Sequence, residues 1–161
     1  MSPKLHVFVD FDGVFHPTGA CTWLPGDVQP HFVQPFRWWP QFRDALRPLD
    51  KDVVLVAHTT WRLQWEHDAE LFAWLPEQMR AKMVGCTPRT HCARAASIEA
   101  YVHAKQLKHY VVIDDEPDAF APGYERLVVC DPARGISDED TQGRLFLKVK
   151  AGLQALAASA S

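Results

Sequence analysis

Three short runs of aliphatic and β-branched residues, Leu5 to Val9, Val53 to Ala57 and Tyr110 to Ile113, each stop abruptly at polar residues. Unbroken apolar runs of this length fit strands buried on both faces, the pattern of a parallel sheet covered by helices. A fourth run, Arg126 to Cys130, reads the same way. Between the strands, Arg62 to Leu75 places Leu63, Leu71, Trp74 and Leu75 near one helical face, and Arg94 to Leu107 does so with Ile98, Val102 and Leu107. Asp138 to Leu156 reads as a terminal helix with Ser137 as N-cap and acids in its first turn, and Ala157 to Ser161 as a frayed tail. The alternation predicts an α/β fold, a three-layer doubly wound, Rossmann-like sheet that is mostly parallel.

At 161 residues the expectation is a single domain able to bury one substantial core. Hydrophobic residues are 47% and charged residues 23% of the chain, and no apolar run reaches the roughly 20 residues needed to cross a bilayer, which argues against disordered and membrane-spanning classes. With no secretory pattern at the N-terminus, Cys21, Cys86, Cys92 and Cys130 are expected to be reduced thiols of a cytoplasmic protein. Cys86, His91 and Cys92 lack a fourth ligand at a standard zinc spacing. The net charge of −3 supplies no global attraction for nucleic acid or anionic lipid, so an anionic substrate must be captured locally. The stretch Val14 to Pro40 holds five of the twelve prolines and reads as an ordered irregular excursion. Its run Phe36 to Phe42 reads first as core filler beneath that excursion and second as a stacking platform for substrate.

Ligands of open α/β sheets bind beyond the C-terminal ends of the strands. Here those ends are Asp10-Phe11-Asp12-Gly13-Val14, Thr59-Thr60-Trp61-Arg62 and Asp114-Asp115-Glu116-Pro117-Asp118. Asp10, Asp12, Asp114 and Asp115 would therefore converge on one edge, where like charges repel unless a cation sits among them. A hard divalent ion such as Mg²⁺, which prefers carboxylate oxygens, is the natural remedy. In an extended chain Asp10 and Asp12 point to the same side, and Gly13 permits a sharp exit.

These motifs resemble the haloacid dehalogenase (HAD) superfamily. The first superfamily motif, three apolar residues and then Asp-x-Asp-Gly, is matched by Val7 to Val14, the second by a strand ending in Thr59, and the fourth by Val111 to Asp115. Closest in detail is the small capless HAD domain associated with RNA repair proteins, with His-Pro after the first motif (His16-Pro17), Thr-x-Trp-Arg (Thr59 to Arg62) and Ile-Asp-Asp-Glu (Ile113 to Glu116).

The resemblance implies a Mg²⁺-dependent phosphatase. Asp10 would attack phosphorus, Asp12 would protonate the leaving oxygen and then activate water, and Thr59 would hold a phosphoryl oxygen. Asp10, the backbone carbonyl of Asp12, Asp114 and Asp115 would serve the metal. Gly13, His16, Thr60 and Arg62 are expected to line the phosphate pocket, although His16, His58, Arg62 and Arg89 also have ordinary structural readings. The superfamily's usual motif Lys has no counterpart. The start of a helix before a strand lies at that strand's C-terminal edge, which favours Arg94 over Lys105 and Lys108 as its replacement. No segment is long enough for a globular cap, so the site should be open, acting on a small-molecule phosphate or a nucleic-acid phosphate end, or borrowing a lid from a neighbouring subunit of a homo-oligomer. Two readings compete: a response-regulator receiver domain, disfavoured because its paired acids follow the first strand, and a non-catalytic phosphate-binding or protein-interaction module.

Overall fold

The computed structural model describes residues 2–19, 21–22, 31–32, 34–90 and 93–160. Five strands, β1 (Leu5–Val9), β4 (Val53–Ala57), β5 (Met83–Cys86), β6 (Tyr110–Asp114) and β7 (Leu127–Val129), form one all-parallel sheet in the order β5-β4-β1-β6-β7. A two-residue antiparallel ladder, β2 (Cys21–Thr22) with β3 (His31–Phe32), lies in the excursion. The α/β Rossmann-like expectation is therefore met. From β1 the chain steps outward through β4 to β5, then returns to the other side of β1 for β6 and β7. That reversal at β1 makes the C-terminal end of the central strand the favoured place for a ligand.

Side-chain alternation sorts the two faces. Val7, Val9, Leu55, Val111 and Ile113 pack with α1 (Trp39–Leu46) and α5 (Glu139–Ser159), through Phe42, Leu46, Leu145 and Val149. Phe8, Val56, Tyr110 and Val112 pack against Ile98 and Tyr101 of α4 (Arg94–Lys105). Phe8 meets Tyr101 and Tyr110 edge-on at ring separations of 5.4 and 5.5 Å, a geometry worth about 1 kcal/mol per pair beyond the area buried. By the same parity Asp10, just past β1, and Asp114, at the end of β6, are carried toward the α4 side.

Several boundaries depart from the sequence reading. The segment Arg62 to Leu75 is not one helix: a 3-10 turn over Thr60–Gln64 is followed by a break and then the five-residue α2 (Asp68–Phe72). Leu63 is exposed rather than packed. Arg89 explains the break, because its Nε donates to the carbonyls of Arg62 and Trp65 and its Nη1 bonds Asp68, holding that chain in a tight bend. A further one-turn helix, α3 (Glu77–Arg80), precedes β5, a strand too short and too exposed to announce itself by hydropathy. Asp138, not Ser137, caps α5 by accepting from the Thr141 N–H at 3.0 Å, and the helix runs to Ser159, so most of the expected frayed tail is helical.

The excursion is fastened to itself and to the segment that follows β7. Trp38 N–H donates to the Phe15 carbonyl, Ile136 N–H to that of Val14 and Thr18 N–H to that of Pro132. Phe36, Trp38, Trp39 and Phe42 are all buried, and Phe15 touches the rings of Phe36, Trp39 and Phe42. The aromatic run is thus core filler, each ring worth about 1.5–3 kcal/mol of burial, and its second half starts α1 rather than continuing the irregular stretch. Cys86 and Cys130 are free thiols whose pKa burial pushes well above the ordinary value. His91 and Cys92 lie outside the described residues, as do the side chains of Cys21 and the ladder. Among the described residues no helix is long and apolar enough to cross a membrane.

Candidate active site

Three strand ends and one helix start meet beyond the sheet edge. Asp10 follows β1, His58 and Thr59 follow β4, Asp114 ends β6 with Asp115 just beyond it, and Arg94 opens α4. Asp10 and Asp114 are buried, and one carboxylate oxygen from each of Asp10, Asp114 and Asp115 lies within 4.8 Å of the other two. Burial, and for Asp10 the neighbouring Asp114 charge, raise both pKa values: that of Asp10 well above the ordinary carboxylate range, that of Asp114 to about 6. Such a cluster favours a cation. Its all-oxygen donor set suits a hard divalent ion, and neither imidazole nor thiolate belongs to it.

Arg94 already supplies one cation. Its Nη1 donates to Asp10 Oδ2 at 2.5 Å and to Asp114 Oδ2 at 2.8 Å, and its Nη2 reaches Glu116 Oε1 at 3.3 Å. The two buried carboxylates offset the desolvation of the guanidinium, and its pKa stands above normal. Lys105, in the last turn of α4, belongs to the opposite edge. Asp10 Oδ1 accepts the Phe11 N–H at 2.8 Å, so the carboxylate is held from both ends.

Asp12 is placed differently. Its carboxylate is not in the cluster: Oδ1 accepts from His16 Nε2 and Oδ2 from Trp61 Nε1, both at 2.9 Å. Any metal contact from Asp12 must come from its backbone. Gly13 (φ +75°) turns the chain against Asp115, and a Cβ there would stand 2.2 Å from Asp115 Oδ2. Gly13 is therefore required by the close approach of a neighbouring acid as well as by its backbone angle. Gly13→Ala is expected to lower stability by about 1–3 kcal/mol, read from the denaturant midpoint. Thr18 Oγ1 holds the same Asp115 oxygen at 2.9 Å, a tie from the excursion that hydropathy gives no hint of.

The remaining sequence candidates divide. Thr59 is buried at the mouth of the turn, and its Oγ1 accepts the Trp61 N–H, while Thr60 is exposed beside it. His16 and Arg62, expected to line a phosphate pocket, are both buried side chains. His16 turns both ring nitrogens to protein groups, and Arg62 Nη1 donates to the Thr59 carbonyl at 2.7 Å, bracing the turn from within. Arg62 bears a pKa lowered by burial. Arg89 is spent on the bend that follows. His58 lies fully buried with Nε2 3.2 Å from Asp114 Oδ2, and burial beside Arg94 and Arg62 lowers its pKa to about 3, so the ring is neutral. Asp118 is exposed in a 3-10 turn and does not belong to the cluster. Trp61, which the sequence offers only as part of the Thr-x-Trp-Arg motif and without a role of its own, is the further side chain that the structure brings to Asp12.

The family model described as "HAD domain in Swiss Army Knife RNA repair proteins" matches residues 6–141, from the first strand into the start of α5. No curated protein matches the chain.

Proposed function

The chain belongs to the family of HAD domains in Swiss Army Knife RNA repair proteins, and from that premise we propose that it is a Mg²⁺-dependent phosphatase working through an aspartyl-phosphate on Asp10. The observation that carries this reading is the separation of the two motif aspartates. Asp10 sits among the Arg94 guanidinium and neighbouring carboxylates at the strand end, while Asp12, two residues on, stands outside that cluster on its own hydrogen-bond donors.

Asp10, Asp114 and Asp115 fit a hard divalent ion by donor type and mutual spacing. Bound there, Mg²⁺ would neutralise crowded carboxylates and offset charge on a phosphoryl group. Everything else falls to the chain itself. An Asp10 carboxylate oxygen forms a bond to phosphorus as the bond to the leaving oxygen breaks, and Asp12 gives that oxygen its proton. Water then attacks the phosphorus of the aspartyl phosphate, passes a proton to Asp12, and releases inorganic phosphate with Asp10 restored. Arg94, beside Asp10, positions the nucleophile and pairs with phosphoryl oxygens, and Thr59 holds another with its hydroxyl. The segments between these motifs are too short for a globular cap, which favours large substrates, and the family description makes a nucleic-acid phosphate end the first class to try.

The test is phosphate release from nucleotides, sugar phosphates and 3′- or 5′-phosphorylated oligonucleotides, with Mg²⁺ or with chelator. Release on at least one class, lost on chelation and restored by Mg²⁺, is the expected result. Silence on every class would leave the chain as a non-catalytic phosphate-binding module.

A further inference from the structure

We propose that His16 and Trp61 are positioning residues that aim the Asp12 carboxylate, a role that rests on Asp12 being the proton carrier. Each oxygen of Asp12 receives one N–H: Oδ1 from His16 Nε2 and Oδ2 from Trp61 Nε1, both at 2.9 Å. A carboxylate oxygen has two lone pairs, so each keeps one for a substrate proton while the plane of the group is fixed from two sides.

The two donors are themselves fixed. Phe36 N–H donates to His16 Nδ1 at 3.2 Å, which requires a lone pair on Nδ1 and so assigns the ring proton to Nε2, facing Asp12. His16 is fully buried, with its ring against Phe36 and Trp61 at 5.4 and 5.6 Å. Phe36 adopts φ +56°, a left-handed conformation costly for an aromatic residue, and delivers its N–H to His16 from it. Trp61 is buried, with its ring edge-on to Phe11 at 5.4 Å and to Phe36 at 5.6 Å. Two segments far apart in sequence, the excursion after β1 and the turn after β4, thus converge on one side chain. Their acceptor, Asp12, stands outside the acidic cluster, so these bonds are separate from the neutralisation of Asp10, Asp114 and Asp115.

Trp61→Phe keeps a packing ring and deletes one donor. Turnover of an alkyl phosphate, whose poor leaving group needs the proton, should fall about 10- to 100-fold in kcat. Turnover of an aryl phosphate should change by less than about 3-fold, and KM for both should hold. In an Asp12→Asn background the same substitution should cost nothing further. His16→Gln, which retains an N–H near the Nε2 position, should keep most alkyl-ester turnover, whereas His16→Leu should lose it. Independently of activity, the Trp61 indole N–H resonance should move in Asp12→Asn; an unmoved resonance overturns the bond itself. An active wild type whose Trp61→Phe variant loses both ester classes equally, or loses as much again without Asp12, overturns the positioning role alone. A wild type silent on every ester removes the phosphatase reading and this role together.

Discussion

Asp10→Asn is expected to abolish phosphate release and to prevent any beryllofluoride adduct at residue 10. The amide is no nucleophile toward phosphorus, and among the described residues the neighbouring carboxylates are otherwise engaged. Asp114 shares the Arg94 guanidinium but ends a neighbouring strand, and Asp12 is turned onto His16 and Trp61. Loss of a covalent nucleophile removes the low-barrier route itself, so a fall of at least about 10⁴-fold is expected. The variant should fold, because Asn fills the same volume and its side-chain oxygen can still accept the Phe11 N–H that Asp10 Oδ1 accepts at 2.8 Å. Turnover at the wild-type rate, checked alongside the adduct by mass spectrometry, would overturn the mechanism.

Arg94→Ala should have two opposed effects, because one guanidinium nitrogen serves both Asp10 and Asp114. Without metal, removing it leaves buried carboxylates unpaired, which costs about 3 kcal/mol of stability, less whatever the two acids recover by taking up protons. Mg²⁺ should restore most of that loss and bind more tightly than to wild type, since the same oxygens are no longer shared with a fixed cation. Phosphate-analogue affinity should meanwhile fall about 10- to 100-fold, the worth of a charge-assisted pair. Lys105→Ala, at the far end of α4, should do none of this. Calorimetric Mg²⁺ titrations and melting curves with and without chelator separate the two effects, with Asp114→Asn as the control for a lost ligand. Unchanged Mg²⁺ affinity in Arg94→Ala would show that guanidinium and metal do not compete.

The acidic edge was legible because it is written in local terms. An apolar run followed by acids marks a buried strand and its functional end, so Asp10, Asp114, Asp115 and Thr59 could be assigned to one edge from the sequence, and Arg94 from its place at a helix start. The elements missed were those whose identity depends on partners. β5 is a strand because β4 offers it a ladder, although Val84 is exposed, and the helical periodicity after Thr59 was broken by Arg89, a residue remote in sequence that draws the chain into a bend. His16 and Arg62 carry no mark of which way they face. Packing alone turned them inward.

The sequence by itself determined that a parallel α/β sheet would gather carboxylates at one edge, because hydrophobic periodicity and the order of the motifs depend on nearest neighbours along the chain. Only the tertiary structure decided that Arg94 would bridge Asp10 and Asp114, and that Asp12 would be turned from its neighbours onto His16 and Trp61. Those bonds join groups separated by as many as 84 residues in sequence, and their directions follow from how the excursion, the turn after β4 and α4 pack above the strand ends.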